Sequence, residues 1–134
     1  MGAANEPNRV GISLFLGAVV VAAVFGYWLT QRPGDPAPAN WRVDPAATLT
    51  PASEEIPIEV IERNCASGTS ANGRIVVEVD ETPDSITLDV RVEQRSGAQD
   101  CQANPITPHV VELGSPLGER VVLGATPPGD WPGP

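Results

Sequence analysis

From Arg74 onward, apolar and polar residues alternate closely enough to dictate the local fold. In Arg74-Ile75-Val76-Val77-Glu78-Val79-Asp80, the side chains of Ile75, Val77 and Val79 fall on one face. In Ser85-Ile86-Thr87-Leu88-Asp89-Val90-Arg91-Val92-Glu93 the same holds for Ile86, Leu88, Val90 and Val92. A helix would scatter these positions around its axis, whereas a strand turns every second side chain to the same side. Glu81-Thr82-Pro83-Asp84 between the two runs is short and turn-forming, so the pair is expected as an antiparallel hairpin.

Shorter alternations surround it. Ile56, Ile58 and Val60 precede Cys65, Val111 and Leu113 follow Pro108, and Val121 and Leu123 follow Gly118. About five short strands, separated by turns rich in Gly, Pro, Asn and Ser, predict an all-β fold over residues 54–126. The expected architecture is a small antiparallel sandwich or partly open barrel. The tail, residues 126–134, holds four prolines and two glycines and is expected to stay extended or without fixed structure.

A domain of this length is near the size at which an apolar core alone is marginal. It is almost free of aromatic residues after Trp41, so its core must come from Val, Ile and Leu. The two cysteines, Cys65 and Cys101, are expected to form a disulfide around the hairpin. Redox pairs usually sit as Cys-x-x-Cys, and a zinc site needs more ligands than this chain offers.

A second constraint lies upstream. Residues 10–29 carry no charge, and their only polar side chains are Ser13, Tyr27 and Trp28. These 20 residues, at a helical rise of about 1.5 Å, reach about 30 Å, the thickness of a bilayer's hydrocarbon core. Tyr27 and Trp28 sit where an aromatic belt would place them. The segment is expected to be a transmembrane helix, with residues 1–9 cytoplasmic and a proline-rich linker at 30–53 holding the domain off the membrane. Trp41, inside that linker, is expected to touch the domain or the headgroup layer. Ala37-Pro38-Ala39 offers an A-x-A cleavage pattern before Asn40, but it lies well past the apolar run and contains proline. No cysteine follows the apolar run until Cys65, which argues against a lipoprotein.

Arginine placement leaves orientation nearly tied, with Arg9 on one side and Arg32 and Arg42 on the other. The expected disulfide breaks the tie, because it persists only in an oxidising compartment. The chain is therefore expected to be a single-pass plasma-membrane protein with its C-terminal domain extracytoplasmic.

Seventeen acidic residues against eight arginines and no lysine give a formal net charge of −9. That argues against recognition of nucleic acid or anionic lipid through a basic patch. The single histidine, His109, has no nucleophile elbow, H-E-x-x-H pair, phosphate loop or dinucleotide fingerprint to accompany it. An enzyme is not expected, and neither is a cofactor. Glu78, Asp80, Glu81 and Asp84 cluster around the hairpin turn but match no calcium loop. Arg74, Glu78, Asp89, Arg91 and Glu93 read as a mixed, soluble outer face. Arg120, after Pro116-Leu117-Gly118, is expected to be a structural arginine satisfying loop carbonyls, with a contact role as the alternative. Trp131, in Pro127-Pro128-Gly129-Asp130-Trp131-Pro132, is either a partner-docking residue or part of a frayed end.

Several segments occur together in order: Cys65-Ala66-Ser67-Gly68, Gly73-Arg74-Ile75, Glu81-Thr82-Pro83-Asp84-Ser85-Ile86, Asp100-Cys101-Gln102-Ala103-Asn104-Pro105, Val111-Glu112-Leu113 and Pro116-Leu117-Gly118-Glu119-Arg120. Together they resemble a family of small uncharacterised extracytoplasmic domains of actinobacterial membrane proteins and lipoproteins. The likeness covers roughly residues 56–128 and implies a structural cysteine pair, with no activity to transfer. Where relatives often continue with Asp-Gly after the last strand, this chain has Gly124-Ala125.

The expected function is a membrane-anchored, non-enzymatic binding or accessory domain with a membrane or envelope protein as partner. The runner-up is an envelope module for a wall glycan or small solute, and an enzyme is a remote third. Gly17 and Gly26, with Ala18, Ala22 and Ala23, would permit close packing of the anchor against another helix.

Overall fold

The computed structural model describes residues 34–132. Among them are seven strands: β1 (Gly34–Pro38), β2 (Asn40–Val43), β3 (Glu55–Ile61), β4 (Ile75–Glu81), β5 (Ser85–Gln94), β6 (Thr107–Glu112) and β7 (Val121–Leu123). A 3-10 turn, Pro128–Asp130, follows. The expected hairpin is present as β4 and β5, paired from Ile75↔Val92 to Glu81↔Ile86.

The strands form two sheets. In the first, β5 lies between β4 and β1, and β7 pairs with the other end of β5 on the β1 side. In the second, β3 lies between β2 and β6. Every pairing is antiparallel except β5 with β7. The inner faces of both sheets contribute to one apolar cluster, with Ile56, Ile58 and Val60 from β3 and Ile86, Leu88, Val90 and Val92 from β5 at its centre. Burying each such side chain stabilises the fold by about 1.5–3 kcal/mol relative to exposure.

One stretch departs from the sequence expectation. The residues read as a proline-rich linker, 30–53, contain β1 and β2. Proline's fixed φ is compatible with extended chain, and its missing N–H is tolerated at a sheet edge. β1 is such an edge strand, with an irregular step between Gly34 and Ala37 that spans Asp35 and Pro36. Ala39, buried between the strands, donates its N–H to the Val90 carbonyl at 3.0 Å, and there the chain passes from one sheet to the other. Trp41 then enters the core at 2% exposure. Cleavage before Asn40 would cut the chain between β1 and β2.

Of the tail expected to be extended or without fixed structure, 126–134, residues 126–132 are described, with a 3-10 turn at Pro128–Asp130. Thr126 donates its N–H to the Trp41 carbonyl at 2.8 Å, and its hydroxyl accepts from the Trp41 N–H at 3.0 Å. Gly124, at φ +99°, makes this return possible: a Cβ there would collide with the Leu88 carbonyl oxygen. The expected transmembrane helix at 10–29 and the cytoplasmic residues 1–9 lie outside the described residues. Among the described residues no helix is long and apolar enough to cross a membrane.

Cys65 and Cys101 are joined by a disulfide, with Cα atoms 4.5 Å apart and a sequence separation of 36. The bridge links the loop after β3 to the loop after β5. Closing a loop of that length stabilises by about 4 kcal/mol in the chain-entropy model, comparable with the net stability of a small domain. Cys65→Ser is expected to unfold the domain or lower its melting temperature severely, as read by thermal denaturation. An unchanged melting temperature would contradict that role. Gly124→Ala is expected to cost at least about 2 kcal/mol in urea denaturation, from the left-handed backbone and the approach to Leu88 together; a change within about 0.5 kcal/mol, typical of surface positions, would show that the approach relaxes freely.

Candidate functional site

Three places gather polar side chains or unpaired backbone. The first is the turn region holding Arg120. Its Nε donates to the Leu117 carbonyl at 3.1 Å, and Nη2 donates to the Ser115 and Pro116 carbonyls at 3.0 and 2.7 Å. Nη1 meets Glu81 Oε2 at 2.6 Å. Glu81 also accepts from the Gly114 N–H at 2.7 Å and the Ser115 hydroxyl at 3.0 Å. The planar guanidinium thus ties the loop after β6 to the hairpin turn at several points. Of the four turn carboxylates, Glu81 is committed to this loop. Among the described residues no group of three or more His, Cys, Asp or Glu side chains is placed to hold a metal ion.

The second is a pocket of about 340 Å³ beside the disulfide, lined by Glu62, Arg63, Asn64, Gln94, Arg95 and Gln99 among others. Glu62, 8% exposed at its side chain, bridges Arg74 and Arg95 at 3.1 Å each. Asn104 donates to the Glu62 and Asn64 carbonyls, which fixes the end of β3. Arg74 therefore turns toward Glu62 and does not join the mixed-charge face expected from the sequence. Arg74 Nη2, Arg95 Nε and Asn104 Oδ1 are buried without a hydrogen-bond partner among the described residues, so the network is incompletely satisfied. Arg63 is the one arginine among the described residues without a carboxylate partner there; its Nε donates to Asn40 Oδ1 at 2.8 Å.

The third is the set of sheet edges. The outward-pointing backbone of β2 at Trp41 is covered by Thr126. On β6, the Leu113 N–H bonds to the Glu54 carbonyl, so Pro108, Val110 and Glu112 point their backbone away from β3. Pro108 deprives that edge of one donor, a common way to discourage strand addition. On β4, the Glu93 N–H bonds to the Arg74 carbonyl, so Val76, Glu78 and Asp80 face β5. Ile75, Val77, Val79 and Glu81 then point their N–H and C=O groups outward, and among the described residues no backbone group meets them.

The outer face beside that edge carries Glu78, Asp80 and Asp89 with Arg91. Arg91 meets Asp89 at 2.6 Å, and this contact, reinforced by Glu78, raises its guanidinium pKa further. Val76, Val121 and Leu123, all exposed, complete the face. His109 lies on β6 opposite Ile58. Trp131 stacks on Arg42, with the guanidinium carbon 4.3 Å from the ring centroid, while Arg42 also meets Glu59 at 2.7 Å.

No protein-family model matches the chain, and neither a curated protein nor a solved structure does. The Glu62 network and the open β4 edge escaped sequence reasoning. The first depends on loop packing, and the second on which hydrogen-bonding phase the hairpin adopts.

The Arg120 hydrogen bond, followed by that from the Gly114 N–H, holds the Glu81 carboxyl below its ordinary value of 4.5. A depressed folded value stabilises the fold above the unfolded value and is lost as pH falls through the folded one. Glu81→Gln is expected to lower stability at neutral pH and to flatten the decline on acidification below 4.5, measured by urea denaturation across pH. An acid limb as steep as that of the parent chain would contradict this.

Proposed function

We propose that this chain is a membrane-tethered, extracytoplasmic, non-enzymatic binding or accessory protein. Residues 10–29 serve as the anchor and the β domain serves as the recognition module. The uncharged apolar run supports the anchor. The Cys65–Cys101 bridge supports an oxidising compartment for the domain.

The observation that carries the reading is the contrast among sheet edges. Thr126 covers β2 at Trp41, and β1 and β6 carry prolines, but β4 points the backbone of Ile75, Val77, Val79 and Glu81 outward with neither proline nor backbone cover among the described residues. An exposed edge is normally blunted, because it pairs readily with another chain. Its retention here supports a recognition surface.

A tether keeps the module at high effective concentration beside a membrane partner. The second reading is an envelope module for a small solute or wall glycan. It is favoured by the 340 Å³ pocket, with Arg63, Asn64, Gln94 and Gln99 as hydrogen-bonding groups.

Affinity purification from cross-linked membranes, with the full chain and with a version beginning at Pro33, tests the leading reading. A specific protein recovered with both, cross-linked to the β domain, is the expected result. Recovery with the full chain alone would assign recruitment to the anchor and contradict a recognition role for the domain. Nothing recovered with either would overturn the accessory reading and favour the pocket.

A further inference from the structure

We propose that β4 accepts an added strand from a partner's extended, basic segment. This rests on the binding-module reading and names the partner's chemistry. β4 supplies the backbone: Ile75, Val77, Val79 and Glu81 point donors and acceptors outward at every second residue, matching the repeat of an antiparallel ladder. A partner strand laid there satisfies them without disturbing any existing β4–β5 bond.

The side chains define the partner's sequence pattern. On the inner face Ile75, Val77 and Val79 are only partly buried at the rim of the core. Apolar residues at alternate positions of the incoming strand would extend that core sideways. On the outer face Glu78 and Asp80 stand beside the edge, with Asp89 behind and only Arg91 to offset them. Opposite charges across neighbouring strands attract, while like charges directly opposite repel. The matching strand therefore alternates Lys or Arg with Val, Ile or Leu.

A second copy of this chain is the wrong occupant. Antiparallel pairing of β4 with itself about Glu78 or Val79 would set Glu78 opposite the other copy's Glu78 or Asp80. β6 is a poorer acceptor, because Pro108 removes one of its outward donors. The pocket beside the disulfide is lined from β1, the end of β5 and the loops after β3 and β5, with no β4 residue among its lining.

The test uses the full chain in detergent micelles and a fluorescent peptide of β4's length that alternates lysine and valine. A photo-reactive group at one end of the peptide maps where it binds. Three comparison peptides and variants are needed. The first peptide replaces lysine by glutamate, and the second is N-methylated on the alternate amides that face the protein. The protein variant is Glu78→Lys with Asp80→Lys, which leaves the inner face of β4 untouched.

The expected result is saturable binding of the lysine peptide cross-linked to residues 75–81. The glutamate and N-methylated peptides should bind at least about tenfold more weakly, and the double variant should reverse the preference between the lysine and glutamate peptides. Binding that survives N-methylation would reduce the contact to charge adhesion and overturn strand addition. So would cross-links centred on β6, or no saturable binding. The assay contains no membrane partner. A partner recovered from membranes alongside failure here would therefore leave the accessory reading standing and remove only the basic-strand proposal.

Discussion

The fold depends on the backbone of β5. This ten-residue strand is the one element paired along both of its edges by three others: β4 on one side, and β1 and β7 sharing the other. Its alternation sends Ile86, Leu88, Val90 and Val92 into the core, while its hydrogen-bonding phase sends successive N–H and C=O groups to opposite neighbours. Side-chain phase and backbone phase share one period of two. Fixing the first therefore fixes the second. That single choice decides that Val76, Glu78 and Asp80 of β4 face inward to the ladder while Ile75, Val77 and Val79 face out of it.

The rest of the domain is arranged to complete what β5 begins. β1 and β2 are continuous but belong to different sheets, and Ala39 makes the crossing with its N–H on Val90. Trp41, just beyond, packs into the core and offers its outward backbone to Thr126. Gly124 lets the chain pass against the Leu88 carbonyl to reach that point. The Cys65–Cys101 bridge and the Glu62–Arg74–Arg95 cluster gather the loops at one end, and Arg120 with Glu81 gathers those at the other. Loops of this length make few apolar contacts of their own, so covalent and charge-assisted links hold them.

How much of this was legible in the sequence follows from which forces act locally. The β4–β5 hairpin was legible because its alternation is long and its turn is short. The β3 and β6 strands were legible from fewer residues. The disulfide followed from having only two cysteines. β1 and β2 were not legible, because Pro33, Pro36, Pro38 and Pro45 suggest a linker, and the packing that turns such chain into strand comes from Trp41 and Val90 far apart in sequence. Trp131 reads from the sequence as either a partner-docking residue or part of a frayed end, and its stacking on Arg42 joins residues that no local pattern connects. The open edge belongs to the same class: the sequence contains β4, but not which side of it remains unpaired.

Recognition through β4 requires its outward backbone to be uncovered in the free protein. Residue-resolved amide hydrogen exchange by NMR on the full chain reads this. The predicted pattern alternates along one strand, with slow exchange at Val76, Glu78 and Asp80 and fast exchange at Ile75, Val77 and Val79. Uniform protection across those six amides would show that another part of the chain already occupies the edge, and would contradict the account.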